Sequence, residues 1–250
     1  MDIFNNIAEI YHQYLKEQDK KYDNEGMLSA SSCGGCYKAH ALKLADKKGK
    51  EKSLGTLNYL RTGTIWGDDV EKAFQEIGLP GYETHVQEKL YLPEYKVIGH
   101  VDAFFLSDVS QETQPKDRQC IIVDEKYINQ WAWKYAMDPS KESGKGYKMQ
   151  LGTYALMIHE KYGISFNNFR LALLYGNRSD GYIKPVEIST LWIDEALNYW
   201  KDLTLGLENI NLLDATPGSV HGVPLESWAC GGKKKYCDYA QTEYCTGLLV

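Results

Sequence analysis

The chain lacks an excess of positive charge. Across 250 residues, 28 Lys and Arg stand against 34 Asp and Glu, a net charge of −6. A balance of that sign gives no general attraction to a polyanion, so bulk charge alone does not point to nucleic acid. No apolar run reaches the roughly 18 residues that a helical membrane crossing needs, so no membrane partner is expected. The opening Met1-Asp2-Ile3-Phe4-Asn5-Asn6 carries neither the basic nor the apolar stretch of a secretory leader, and the expected location is the cytoplasm. There is no internal repeat, no low-complexity tract and no segment that reads as a linker. A single domain over residues 1–250 is the simplest organisation.

The sequence does hold six cysteines, 19 tyrosines and a 43% hydrophobic content. That content suffices for a sizeable core edged by amphipathic rings. Cytoplasmic thiols stay reduced, so cysteines there point to metal or catalysis rather than disulfides. The charge is unevenly spread: Lys38, Lys43, Lys47, Lys48, Lys50 and Lys52 crowd one segment, and Lys233 to Lys235 another. Each run reads equally as a phosphate-attracting field or as a solvated face.

Periodicity predicts helices over residues 2–18, 36–44, 66–74, 148–161 and 191–207. The acids Asp68 and Asp69 would sit in the first turn of the third helix, at the positive end of its dipole. Alternating and β-branched runs predict a hairpin from 85–92 and 95–106, a short buried strand at 120–123, and two strands at 169–175 and 182–188. Residues 107–118 read as a loop, and 214–250 as a Gly- and Cys-rich tail. The sum is a mixed α/β domain with an appended C-terminal element.

The chemistry concentrates in one ordered series. Gly99-His100-Val101-Asp102 lies within one strand, Val123-Asp124-Glu125-Lys126 ends the next, and Gln150 and Tyr154 follow on a helix. Alternation puts Asp124 and Lys126 on one strand face and turns Glu125 away. If the strands are neighbours, Asp102 and Asp124 can share a divalent ion through oxygen ligands, with the Glu125 carbonyl available to the same shell. Such an ion polarises a scissile phosphate and acidifies a bound water. Lys126 would position that water or stabilise transition-state charge. Four residues apart, Gln150 and Tyr154 share a helix face. Taken singly, each of these is also an ordinary exposed strand pair or a polar pair on an amphipathic helix.

In this order the residues resemble the PD-(D/E)XK nuclease superfamily, over about residues 60–190. More narrowly they resemble its RecB-like, CRISPR-associated-type exonuclease branch, which adds the Gln-x-x-x-Tyr pair. The resemblance implies a restriction-endonuclease-like mixed sheet flanked by helices. It implies a Mg²⁺- or Mn²⁺-dependent deoxyribonuclease acting on single-stranded DNA or DNA ends. Asp102 and Asp124 are then the metal ligands, Lys126 the catalytic lysine, and Gln150 and Tyr154 the pair that organises DNA and site. Glu88 falls where relatives often carry an acid. Relatives also place a His within a Gly-x-x-x-His pattern on the preceding helix. Here Gly63-Thr64-Ile65-Trp66 runs into Gly67-Asp68-Asp69, so Asp68 or water would supply that ligand, and His100 would pack beside the site. Recombination, replication or CRISPR proteins are the partners the branch implies, and a phage-encoded member would work in the host cytoplasm. A binding or adaptor module that keeps the fold without efficient catalysis is the alternative.

Cys230, Cys237 and Cys245 lie near the C-terminus, far from Cys33 and Cys36. Four thiolates can hold an iron–sulfur cluster or a tetrahedral zinc. The resemblance implies a 4Fe-4S cluster on Cys36, Cys230, Cys237 and Cys245 that joins residues 29–45 to 226–250. Cys33-Gly34-Gly35-Cys36 also matches a redox C-x-x-C, but a Ser-rich segment precedes it instead of an apolar strand. Cys120, inside an apolar run, reads as a small buried hydrophobe.

Overall fold

The computed structural model describes residues 3–18, 25–107, 114–138, 140–141, 143–209, 211–214, 237–240 and 242–246. Among these, six α-helices and six strands follow one another along the chain. Helix α1 (Ile3–Gln18) and the two-residue strand β1 (Leu28–Ser29) lead into α2 (Tyr37–Leu44) and α3 (Leu54–Ile77). Then come β2 (Tyr82–Leu92), β3 (Val97–Ser107), β4 (Cys120–Ile128), α4 (Gln130–Ala136) and α5 (Lys145–Tyr162). The chain continues through β5 (Phe169–Asn177), β6 (Ile183–Ile188) and α6 (Leu191–Asn209).

The strands form one mixed sheet. β3 runs antiparallel to β2 along its whole length, from Tyr82↔Ser107 to Leu92↔Val97. Its other edge is shared: β1 takes Val97 and Ile98, and β4 takes Ala103 to Leu106. Residues 99–102 on that edge therefore lie between two partners and pair with neither. β4 continues parallel to β5 from Cys120 to Ile128, and β5 is antiparallel to β6. The parallel step requires a crossover, which α4 and α5 supply.

Helix α5 is buried along ten consecutive residues, Met149 to Ile158. A helix apolar on all sides must be covered on all sides. The sheet lies on one side of it and α6 on the other. Gly152 makes the second contact possible, because a Cβ there would fall 2.1 Å from the Trp192 carbonyl oxygen. The fully buried Trp200 of α6 donates its indole N–H to Thr153 at 2.9 Å, so the polar edge of the ring is satisfied. On the opposite sheet face lies α3, where Phe74 meets Phe105 edge to face at 5.4 Å and Trp66 stacks on Tyr127 at 5.1 Å.

Two expectations from the sequence are corrected. α3 begins at Leu54, with the Ser53 hydroxyl accepting from the Thr56 N–H as its cap. Asp68 and Asp69 therefore sit mid-helix and meet no helix-end dipole. The strand expected at 120–123 runs on to Ile128 and carries the Asp-Glu-Lys triplet within it. α4 was not anticipated. Its start is set by Asn129, whose side chain accepts from the Ala132 N–H.

Candidate active site at the strand fork

β3 and β4 separate after the pair Ala103↔Val123. The next position in register would set Asp102 against Asp124. Instead the strands part, and the Asp102 carboxylate accepts from the Glu125 backbone N–H at 2.9 Å. That bond satisfies a donor that loses its ladder partner at the fork. It also fixes Asp102 beside the triplet.

The fork coincides with an inversion of side-chain alternation. His85 stacks on Phe104 at 4.3 Å, and both rings meet Tyr162 of α5. Three residues on, Glu88 accepts from the same Tyr162 hydroxyl at 2.6 Å. Positions three apart on a regular strand face opposite ways. The inversion falls at Gln87, which has φ 50, a left-handed conformation uncommon outside glycine. The β2–β3 ladder skips Gln87 and Asp102. β3 shows the same phase change, since both Phe104 and Gly99 face α5 although they are five residues apart. At Gly99 an added Cβ would stand 2.9 Å from the Ala30 Cβ and 3.0 Å from Tyr154 Cε1. Only a missing side chain lets Tyr154 reach the fork.

On the α5 side, Asp124 is fully buried and ion-paired with Lys126, its Oδ2 2.5 Å from Nζ. Neither oxygen of Asp124 has a partner in hydrogen-bond alignment. Burial pushes its carboxyl up to about 7; Lys126 opposes this rise and Asp102 adds to it. For Lys126, burial alone favours the neutral amine, but Asp124 and Asp102 outweigh it and the pKa is raised. The ammonium lies over the Tyr147 ring, 5.0 Å from its centroid. Gln150 donates to the Tyr154 hydroxyl at 2.7 Å, and both side chains are buried. Burial, together with the charges of Asp102 and Asp124, raises Tyr154 well above an ordinary phenol. Its proton stays on, available for donation.

On the α3 side stands Glu125, with both carboxylate oxygens buried and without a hydrogen-bond partner. Burial, with Asp102, Glu71 and Asp124 nearby, pushes it up to about 9. Glu71 of α3 accepts from the Gln87 side chain at 2.5 Å, and its pKa is raised first by burial. Glu71 was not singled out in the sequence. Its signal is spacing, since Gly63, Gly67 and Glu71 fall on one helix face, toward the sheet. Asp68, expected as a ligand, is exposed on α3.

The remaining expectations divide. Glu88 is not at the fork: it accepts from Lys161, Tyr162 and His85 at 2.5, 2.6 and 2.8 Å. Burial would raise Glu88, but these bonds outweigh it and hold the carboxyl below the usual range. His100 is exposed. Cys120 is buried in β4, and Cys33 is a buried free thiol whose pKa burial pushes up, which makes it unreactive. Cys36 precedes α2, while Cys237 and Cys245 lie in the C-terminal loop. Cys230 lies outside the described residues. Among the described residues no group of three or more His, Cys, Asp or Glu side chains is gathered to hold a metal ion, so the three described cysteines do not converge.

No protein-family model matches the chain, and no curated protein does. Among solved structures it is similar to SSO0001, at 16% identity over 92% of both chains with a TM-score of 0.44. It is also similar to an alkaline exonuclease from Laribacter hongkongensis, LHK-Exo, at 13% identity over 73% of this chain and 88% of that one, with a TM-score of 0.46. These likenesses are distant, and none bears on the role of any residue.

Proposed function

We infer that the chain is a divalent-metal-dependent deoxyribonuclease of PD-(D/E)XK type, an exonuclease working on single strands or DNA ends. The observation that carries this reading is the fork: Asp102 and Asp124 flank it, Lys126 is ion-paired at its base, and a buried carboxylate has two oxygens with no hydrogen-bond partner. Burying a charge in that state is costly unless a cation completes it. Asp102 and Asp124 would hold a Mg²⁺ or Mn²⁺ ion. Two carboxylates suffice for Mg²⁺, which draws its other ligands from water and phosphate. When bound, the ion supplies Lewis acidity at the scissile phosphate and acidifies a water. Lys126 donates to the phosphate oxygens as charge builds on them. Tyr154, held by Gln150, keeps its proton under the charges of these carboxylates and is available as a donor at the site.

The experiment is Asp102→Asn. It keeps an acceptor for the Glu125 N–H and removes the charge. Mg²⁺-dependent cleavage of a labelled oligonucleotide should vanish while the circular dichroism spectrum stays that of the wild type. Retained cleavage would overturn the site. An oligonucleotide shifted in mobility but uncut by the wild type would favour the adaptor reading.

A 4Fe-4S staple on Cys36, Cys230, Cys237 and Cys245 belongs to the same proposal. The described cysteines do not converge on a cluster; what supports the staple is the docking of the C-terminal loop onto the segment after α2. Lys50 N–H donates to the Asp238 carbonyl at 2.9 Å, and the Tyr239 hydroxyl to the Lys47 carbonyl at 3.1 Å. Iron, sulfide and zinc measured on anaerobically purified protein test it. About four irons per chain support the cluster, and one zinc with no iron replaces it.

A further inference from the structure

Helix α4 exposes aromatic rings that the core does not use. Ala132, Trp133, Ala136 and Met137 pack inward. Trp131 and Tyr135, four residues apart on the outer face, are 67% and 41% exposed, with ring centroids 4.4 Å apart. The Ser143 hydroxyl, just before α5, reaches the Tyr135 carbonyl. This brings the end of α4 to the start of α5. There Tyr147, 39% exposed, lies beneath the Lys126 ammonium. Exposed rings thus stand at two places near the fork, Trp131 with Tyr135 on α4 and Tyr147 beside Lys126.

The charge of this segment is opposite to that of the chain. Between β4 and the buried part of α5, Lys134, Lys141, Lys145 and Lys148 stand against Asp138 and Glu142 alone, whereas the whole protein carries −6. Asp138 accepts from the Ser140 N–H and hydroxyl at 2.9 and 2.7 Å. Exposed aromatic faces within a local positive field suit one class of ligand, a polyanion that carries flat rings and leaves them unstacked. A duplex hides its base faces, but a single strand does not.

We propose that Trp131, Tyr135 and Tyr147 form a stacking lane for the nucleobases of a single DNA strand, leading its backbone to Lys126. This rests on the nuclease reading of the fork and adds the surface by which a single strand reaches it. Trp131 and Tyr135 set affinity for the strand beyond the scissile phosphate, and Lys134 and Lys145 attract its phosphates.

The test is fluorescence anisotropy of a labelled oligothymidylate about twenty nucleotides long, at low salt and in EDTA so that no metal-dependent cut intervenes. The double variant W131A/Y135A should bind about 10-fold more weakly or worse, given the worth of base–aromatic stacking. W131F/Y135F, which keeps both rings, should bind within about 3-fold of the wild type. Unchanged affinity in the alanine variant, an equal loss in the phenylalanine variant, or no binding by the wild type would each overturn the lane. Hydrolysis of thymidine 5′-monophosphate p-nitrophenyl ester by the wild type with Mg²⁺ is read separately. Its failure would count against the nuclease reading and leave the binding result standing.

Discussion

The two faces of β4 treat buried carboxylates in opposite ways. Asp124 faces α5 and has a lysine two residues along the same strand as its counter-charge. Glu125 faces α3, where Asp102, Glu71 and Asp124 all raise its pKa and the Lys126 charge only partly opposes them. One strand thus carries a compensated charge on one side and an uncompensated one on the other. Burial is common to both, so the difference lies in the partners. The α5 side carries its own counter-charge. The α3 side is stable only if the acid keeps its proton or a cation arrives.

The largest test of that difference removes the counter-charge. Lys126→Met strands Asp124 in the interior, and breaking a buried pair from one side costs about 3–5 kcal/mol. Urea unfolding at pH 8 should show a loss of that order. The double variant Asp124→Asn/Lys126→Met should recover most of it, since no charge remains to strand. A single variant as stable as the double would mean that Asp124 holds its proton and that the pair is not ionic.

A smaller effect tests the packing that brings α5 to the fork. Gly99→Ala sets a methyl 2.9 Å from Ala30 Cβ and 3.0 Å from Tyr154 Cε1. Overpacking of this kind costs about 1–3 kcal/mol. Adding Ala30→Gly removes the closer contact and should return part of the loss, measured by the same denaturation. Cleavage should fall further than stability does, because Tyr154 is displaced from Asp102 and Asp124.

Much of the α5 face is legible in the sequence. Asp102, Asp124, Lys126, Gln150 and Tyr154 stand at strand and helix spacings that put them together, and the structure gathers all five. The α3 face is not legible. It depends on Gln87 adopting a positive φ, which glutamine does not advertise, and that inversion lets Asp102 and Gln87 leave the ladder. It depends also on Glu71, within a helix whose first turns hold Gly55, Thr56, Asn58 and Thr62, all weak helix formers that hide its true start. The consecutive acids Asp68 and Asp69 were the visible feature there. They are exposed, because the helix turns Gly67 and Glu71 inward instead.

The last test has the opposite sign to the first and completes the comparison. Glu125 is raised from 4.5 to about 9. A carboxyl raised in the folded state contributes stability that is fully present below its unfolded pKa and is lost as pH rises through the folded value. The metal-free wild type should therefore lose stability steadily between about pH 4.5 and pH 9. Glu125→Gln cannot ionise, and its amide can donate toward Glu71, so the variant should lack that decline. In EDTA it should match the wild type near pH 5 and exceed it near pH 9, read as a higher urea midpoint and melting temperature. Adding Mg²⁺ should reverse the order if the cation reaches this face, because ligation favours the ionised carboxylate that only the wild type can offer. If Mg²⁺ instead raises both proteins equally, the ion is held by Asp102 and Asp124 alone. The acid on the α3 side then keeps its proton, and the two faces of β4 differ in protonation as well as in partners.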